Sequence, residues 1–191
     1  MTTFADGEKS LVGYVRQLTS TDLGPLESLL RSDPVSNCFL DARVRGAGLD
    51  PWRLGGDIWG YLDDDALHSV VYVGANLVPV GTTPASRAAL ADRLRMSPRR
   101  CSSFVGDREE VLDLWRLLEP AWGPAREVRD DQRLLVMDTD ATIPHDPHVR
   151  MATLADLDVL LTACVDMFTE EVGISPVRGG GGSAYRDRVA E

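Results

Sequence analysis

Apolar residues recur along the chain with two periods, and the switches between them predict an α/β protein built on a mixed sheet. Val12 to Leu18 reads as a first strand. Leu23, Leu26, Leu29 and Leu30 predict a helix over Thr21 to Ser32, with Gly24 and Pro25 making its first turns irregular. A second helix is expected from Val35 to Arg45, stopping at Gly46 and Gly48. Asp57 to Leu62 and Leu67 to Val73 are rich in β-branched and aromatic residues. They flank the polar turn Asp63-Asp64-Asp65-Ala66, which predicts a hairpin. Leu77 to Val80 reads as a further short strand.

Thr83-Pro84 opens the next helix, since threonine caps and proline fits the first helical position. Ala85 to Arg95 continue it, and Cys101 to Val105 reads as a strand closed by Gly106. Asp107 to Glu110 matches the capping pattern D-x-x-E. Val111, Leu114, Trp115 and Leu118 then share one helix face, and Pro120 is expected to end the helix. Ala125 to Arg129 and Arg133 to Met137 read as two more strands. Asp138 to Pro147, with two prolines, reads as a linker.

After the linker the pattern restarts. Val149 to Met151 reads as a short strand and Thr153 to Asp156 as a T-x-x-D cap. Leu157, Leu160, Leu161, Cys164, Val165 and Phe168 form an apolar helix face that should end before Gly173. Tyr185 to Glu191 looks like the start of another helix. The restart repeats the opening in its letters: Val15/Val149, Arg16/Arg150, Thr19/Thr153, Asp22/Asp156, Leu23/Leu157 and Leu26/Leu160 are identical pairs. Residues 12–138 are therefore taken as a first domain, 139–147 as a linker and 148–191 as the start of a second. A piece that short rarely closes a core. Two expectations follow: the sequence is a fragment, or its end packs on the first domain.

Composition narrows the partners. Among 191 residues, 43% are hydrophobic, enough for a sizeable core. Thirty acidic against twenty basic residues give a formal charge of −10, and no Lys/Arg-rich run stands out. Nucleic acid and anionic membranes are poor partners for such a surface; a basic partner or an amine substrate suits it. Cys38, Cys101 and Cys164 form no CxxC pair, so zinc and disulfide-exchange chemistry are not indicated, and reduced cytosolic thiols are expected. Met1 to Ser10 is not a signal peptide, and Ser69 to Val80 is too short to span a bilayer. The expected location is the cytoplasm.

Several phrases carry a resemblance: GLDPWRLGGDIWGYL (48–62), GANLVPV (74–80), RRCSSFVG (99–106), LEPAWGPAREVR (118–129) and ACVDMFTEEVGISP (163–176). Together with V-R-x-x-T-x-x-D-L at 15–23 and 149–157 and the element order, they resemble the GNAT N-acetyltransferase superfamily. More narrowly, they resemble a two-domain actinobacterial group in which a domain of unknown function precedes a GNAT domain. The resemblance implies a degenerate GNAT-like first domain and the beginning of an acetyltransferase domain. It also implies acetyl-CoA as co-substrate and a small-molecule or protein amine as acceptor. The superfamily holds acetyl-CoA on a loop [QR]-x-x-G-x-[GA], whose glycines let backbone N–H groups approach the pyrophosphate. Here the matching stretch is Gly81-Thr82-Thr83-Pro84-Ala85-Ser86. It lacks the glycine spacing, and Pro84 lacks an N–H. The second copy stops before its loop, so no cofactor-binding or catalytic residue is assigned.

The resemblance places Glu170 and Glu171, near the end of the restarted helix, beside the acceptor, where a carboxylate could hold a cationic amine or help remove its proton. A solvated helix end is the other reading of the same pair. Gly179 to Gly182 is followed by no Gly-Lys-Ser/Thr and reads as a flexible loop. His145-Asp146-Pro147-His148 reads as polar linker rather than a metal site, and His68 has no visible partner. Two functions are carried forward. The first is the N-terminal part of an acetyl-CoA-dependent N-acetyltransferase, this chain alone being inactive. The second is a non-catalytic ligand- or partner-binding GNAT-like module.

Overall fold

The computed structural model describes residues 13–190, so the expectations for residues 1–12 and for Glu191 lie outside the described residues. The chain divides into two compact units, Met1–Val136 and Met137–Glu191.

The first unit is a five-stranded mixed sheet with helices on both faces. Its strands are β1 (Tyr14–Gln17), β2 (Asp57–Asp63), β3 (Ala66–Val73), β4 (Asn76–Val80) and β5 (Ser103–Phe104), lying side by side in chain order. The first four pair antiparallel and β5 joins β4 parallel. Between β1 and β2 come α1 (Leu23–Leu30), α2 (Cys38–Ala47) and the single turn α3 (Pro51–Leu54). Helix α4 (Pro84–Arg95) links β4 to β5, and α5 (Arg108–Trp122) follows.

Side-chain alternation assigns the faces. In β3, Val70 and Tyr72 join Leu26, Leu30, Leu40 and Val44 of α1 and α2. Val71 and Val73 point the other way and pack with Leu90, Leu94, Leu114 and Leu118 of α4 and α5. Central β3 is thus covered on both sides, which is why its second half is an unbroken apolar run. The β2–β3 hairpin closes through Asp64 and Asp65 at φ 47° and 61°. Two left-handed residues form the turn type whose twist matches paired strands.

Four expectations for this unit need correction. Gly46 does not stop the second helix; it lies inside α2, which starts at Cys38 and is closed by Gly48. Pro120 does not end α5; it sits in the last turn, where its missing N–H costs a single helical bond. The stop is Gly123, whose N–H reaches Glu119 O at 2.9 Å. The strand foreseen at Cys101 to Val105 pairs only over Ser103–Phe104. Residues 125–129 and 133–137 form no strands. They lie exposed along no sheet edge, with Leu135 at 84% and Met137 at 74%. An apolar run without a partner strand leaves its backbone groups to water and has nothing to hold it extended.

The second unit contains a 3-10 turn (Leu154–Asp156), α6 (Leu157–Val172), another 3-10 turn (Arg178–Gly180) and α7 (Gly182–Ala190). Gly173, at φ 77°, ends α6 as foreseen. Tyr185 ties α7 to α6. Its ring meets Phe168 edge-on at 5.9 Å, and its hydroxyl donates to Cys164 O at 3.2 Å. None of the described residues of this unit is buried. Val149 to Met151 is not a strand: no neighbouring strand runs beside it, and Val149 and Met151 are 74% and 88% exposed.

The repeated letters do build the same local object twice. Arg16 Nη1 and Nη2 donate to Asp22 Oδ2 and Oδ1 at 2.8 and 2.7 Å; Arg150 does so to Asp156 at 2.8 and 2.7 Å. The Thr19 and Thr153 N–H groups donate to the same carboxylates at 2.7 and 2.9 Å, and their hydroxyls at 3.2 and 3.0 Å. The arginine also reaches the next carbonyl, Gln17 O at 3.2 Å and Met151 O at 3.1 Å. Each acid thus closes a knot of arginine, threonine and helix start. The hydrogen bonds from Arg16 hold the Asp22 carboxyl down at about 2, against 3.8 ordinarily. Those from Arg150 hold Asp156 well below the usual carboxylate range.

Candidate functional site

Glu170 and Glu171 lie exposed at the end of α6. Among the described residues, neither is engaged by a hydrogen bond or ion pair. Asp146 and His148 make a local turn, with the His148 N–H donating to Asp146 Oδ1 at 2.8 Å.

The β4–α4 junction is occupied by its own side chains. Thr83 Oγ1 accepts from Ser86 N at 3.2 Å while Ser86 Oγ accepts from Thr83 N at 2.9 Å, a reciprocal cap. Thr82 Oγ1 donates to Glu110 Oε2 at 2.9 Å, so a carboxylate stands at this helix start. Next to it is Arg87, only 2% exposed, which donates to Thr82 O at 2.9 Å, Glu109 at 2.9 Å and Asp113 at 3.2 Å. This arginine clamps α4 to α5. An anion arriving here would meet Glu110 and would have to displace the Thr83–Ser86 bonds.

The opposite end of β4 holds a cleft. Gly55 ends α3 at φ 72°, and Gly56 then brings the chain against the end of β3. A Cβ on Gly56 would stand 2.5 Å from Val73 O and 2.7 Å from Gly74 Cα. That approach delivers Asp57 at the start of β2. Its Oδ1 accepts from Gln17 Nε2 at 2.9 Å and its Oδ2 from Arg100 Nη2 at 2.5 Å. The β3–β4 turn is held by Ser102, whose N–H donates to Ala75 O at 2.8 Å.

Two adjoining cavities open here, sharing Asp57, Val73 and Arg100. One, of about 330 Å³, has Pro51, Gly56 and Ala75 in its wall. The other, of about 340 Å³, is walled by Trp59, Arg93, Leu94, Pro98 and Trp122. The Arg93 guanidinium lies 3.9 Å over the Trp59 ring. Trp122 Nε1 is buried without a hydrogen-bond partner. Trp52, next to Pro51, is 94% exposed. The second cavity also has the Ser97 hydroxyl in its wall, and neither cavity is lined by a histidine or cysteine.

Sequence reasoning missed this cleft. It saw no basic run, although Arg93, Arg95, Arg99 and Arg100 fall within eight positions of an acidic chain. That cluster, and the Gly55-Gly56 step before a strand, were the available signals. The Asp57–Arg100 pairing spans 43 positions and is created by the fold.

Comparison with known families gives one match. The family described as a domain of unknown function (DUF4081) matches residues 56–160, more than half of the 191. The chain belongs to the DUF4081 family. The DUF4081 match begins at the Gly56 step and takes in Asp57, Arg93, Arg100 and Trp122. It ends at Leu160 within α6, after the second knot. No curated protein matches the chain, and no solved structure does. Among the described residues, no helix is long and apolar enough to cross a membrane.

Proposed function

We propose that the chain is the N-terminal part of an acetyl-CoA-dependent N-acetyltransferase acting on an amine. In this reading the first unit is a non-catalytic GNAT-like module and the second begins the transferase domain. One observation carries the reading. The knot of Arg16, Thr19 and Asp22 recurs as Arg150, Thr153 and Asp156, and equivalent hydrogen bonds differ by no more than 0.2 Å. Two helices that start alike, each after an Arg-x-x-Thr step, support tandem lobes of one design.

The order of elements from β1 to α5 supports the resemblance as well. The β4–α4 junction supports the module role for the first unit. Pro84 offers no donor there, the Thr83 and Ser86 donors are taken, and Glu110 stands beside them. In the transfer itself, a backbone N–H would polarise the thioester carbonyl and a base would accept the amine proton. On this reading those groups lie outside the residues described, and Glu170 and Glu171 serve as carboxylates on the acceptor side.

Two measurements test the proposal. The coding sequence after Glu191 should run into a strand followed by [QR]-x-x-G-x-[GA]. Titration of the 191-residue chain with acetyl-CoA should give no binding at micromolar concentration. Tight binding abolished by a change at Gly81 would overturn the module assignment. A downstream sequence without that loop would overturn the transferase assignment.

A further inference from the structure

The cleft at the start of β2 combines features that the acetyltransferase reading does not use. The chain carries a formal charge of −10, yet Arg93 and Arg100 both line one cavity, and its single acid, Asp57, is already held by Gln17 and Arg100. Arg93 has no carboxylate partner among the described residues; its guanidinium carbon lies 3.9 Å over the Trp59 ring, a contact that uses none of its N–H donors in a hydrogen bond. Besides the arginines, Asp57, Trp59 and Ser97, the wall is apolar, formed by Val73, Leu94, Pro98 and Trp122. A volume of about 340 Å³ accommodates one ring and a short acidic arm.

We propose that this cleft binds a small organic carboxylate with a flat apolar body, its acid group on Arg93 and Arg100 and its body against Trp122 and Leu94. The physical grounds are complementary. Guanidinium groups take carboxylates through paired N–H donors; here Arg93 is half-buried beside apolar walls while Arg100 is 61% exposed, so Arg93 is the stronger of the two contacts. The surrounding negative surface repels anions at long range, so the site selects ligands that also bury apolar area. Binding here involves no bond making. It depends on the first unit alone and stands or falls separately from the acetyltransferase reading.

The test follows the indole N–H signals of the ¹⁵N-labelled 191-residue chain during titration with phenylacetate. Saturable shifts are expected at Trp59 and Trp122, with the Trp115 signal, which belongs to a ring packed on Phe104, unmoved. Phenylacetamide, the same ring without the charge, should bind about tenfold more weakly. Arg93→Gln and Arg100→Gln should each lose about tenfold, and Arg93→Lys should fall between wild type and Gln. Dispersed amide spectra confirm that the variants remain folded. Three outcomes would overturn the proposal: no saturable shift with phenylacetate, equal binding of phenylacetamide, or Arg93→Gln binding as wild type. Inorganic phosphate reproducing the full pattern would overturn it as well, since an apolar body would then contribute nothing.

Discussion

Arg150 grips Asp156 through two parallel hydrogen bonds, at 2.8 and 2.7 Å, and does so without the paired strand that carries its counterpart Arg16. The two copies differ in surroundings rather than in internal geometry. The Asp22 carboxylate is 12% exposed and that of Asp156 is 27% exposed. Identical contacts should therefore contribute unequally to stability, because solvent screens the second pair more.

Replacing Asp22 tests this. Its folded-state carboxyl titrates near 2 against 3.8 ordinarily, a difference worth about 2 kcal/mol of folding free energy. A depressed acid stabilises above its unfolded value and loses that contribution as pH falls through its folded one. Asp22→Ala should lower stability by about 2–3 kcal/mol at neutral pH by urea denaturation, cap loss included. The gap to wild type should narrow as pH drops from 4 towards 2. Asp156→Ala should have a smaller effect.

Arg87 gives a second test. Its head is buried but faces carboxylates that keep water, Glu109 at 73% and Asp113 at 34% exposed. Removing it strands Thr82 O and leaves a void rather than isolated buried charges. Arg87→Ala should cost about 2–4 kcal/mol. Arg87→Met, which refills the volume, should recover roughly half. Equal losses for both would mean that the charge, not the packing, holds α4 on α5.

Gly56 is the close approach on which the cleft depends. Gly56→Ala must move the end of β3, since the obstacle is the backbone at Val73 and Gly74. A destabilisation of about 2–3 kcal/mol is expected. The Trp59 indole signal should shift with it, because Asp57 and Trp59 follow directly on β2.

The cysteines should separate by rate. Cys38 is exposed and Cys101 buried, and burial raises the Cys101 thiol above its ordinary value. A thiol-reactive disulfide reagent at pH 8 should label Cys38 rapidly and Cys101 only on unfolding. Prompt labelling of Cys38→Ser at two thiols would show that the β5 region opens readily.

Much of the fold was legible because local rules dominate it. Thr83, Asp107 and Thr153 mark helix starts by capping, Gly48 and Gly173 mark stops, and Asp64-Asp65 closes a hairpin. The failed strands share one cause. At 125–129, 133–137 and 149–151 the letters suit a strand, but strand formation needs a neighbour, and none is supplied among the described residues. Pro120 misled because its effect depends on position within a helix. The cleft was illegible for the same reason as the failed strands: Asp57 with Arg100, and Arg93 with Trp59, meet only after β2 and α4 have packed.

The second knot forms beside an unpaired segment, so its bonds need nothing beyond seven consecutive residues. Closing so short a loop costs little chain entropy and takes place on the sub-microsecond scale of local events. In the first unit the same knot directly precedes Leu23, Leu26 and Leu30, whereas β2 lies some forty residues downstream, so the knot is expected to form first. Asp22 and Arg16 should accordingly show high φ-values while Trp59 and Val71 show low ones. On that outcome the search for the sheet would begin with one corner already built.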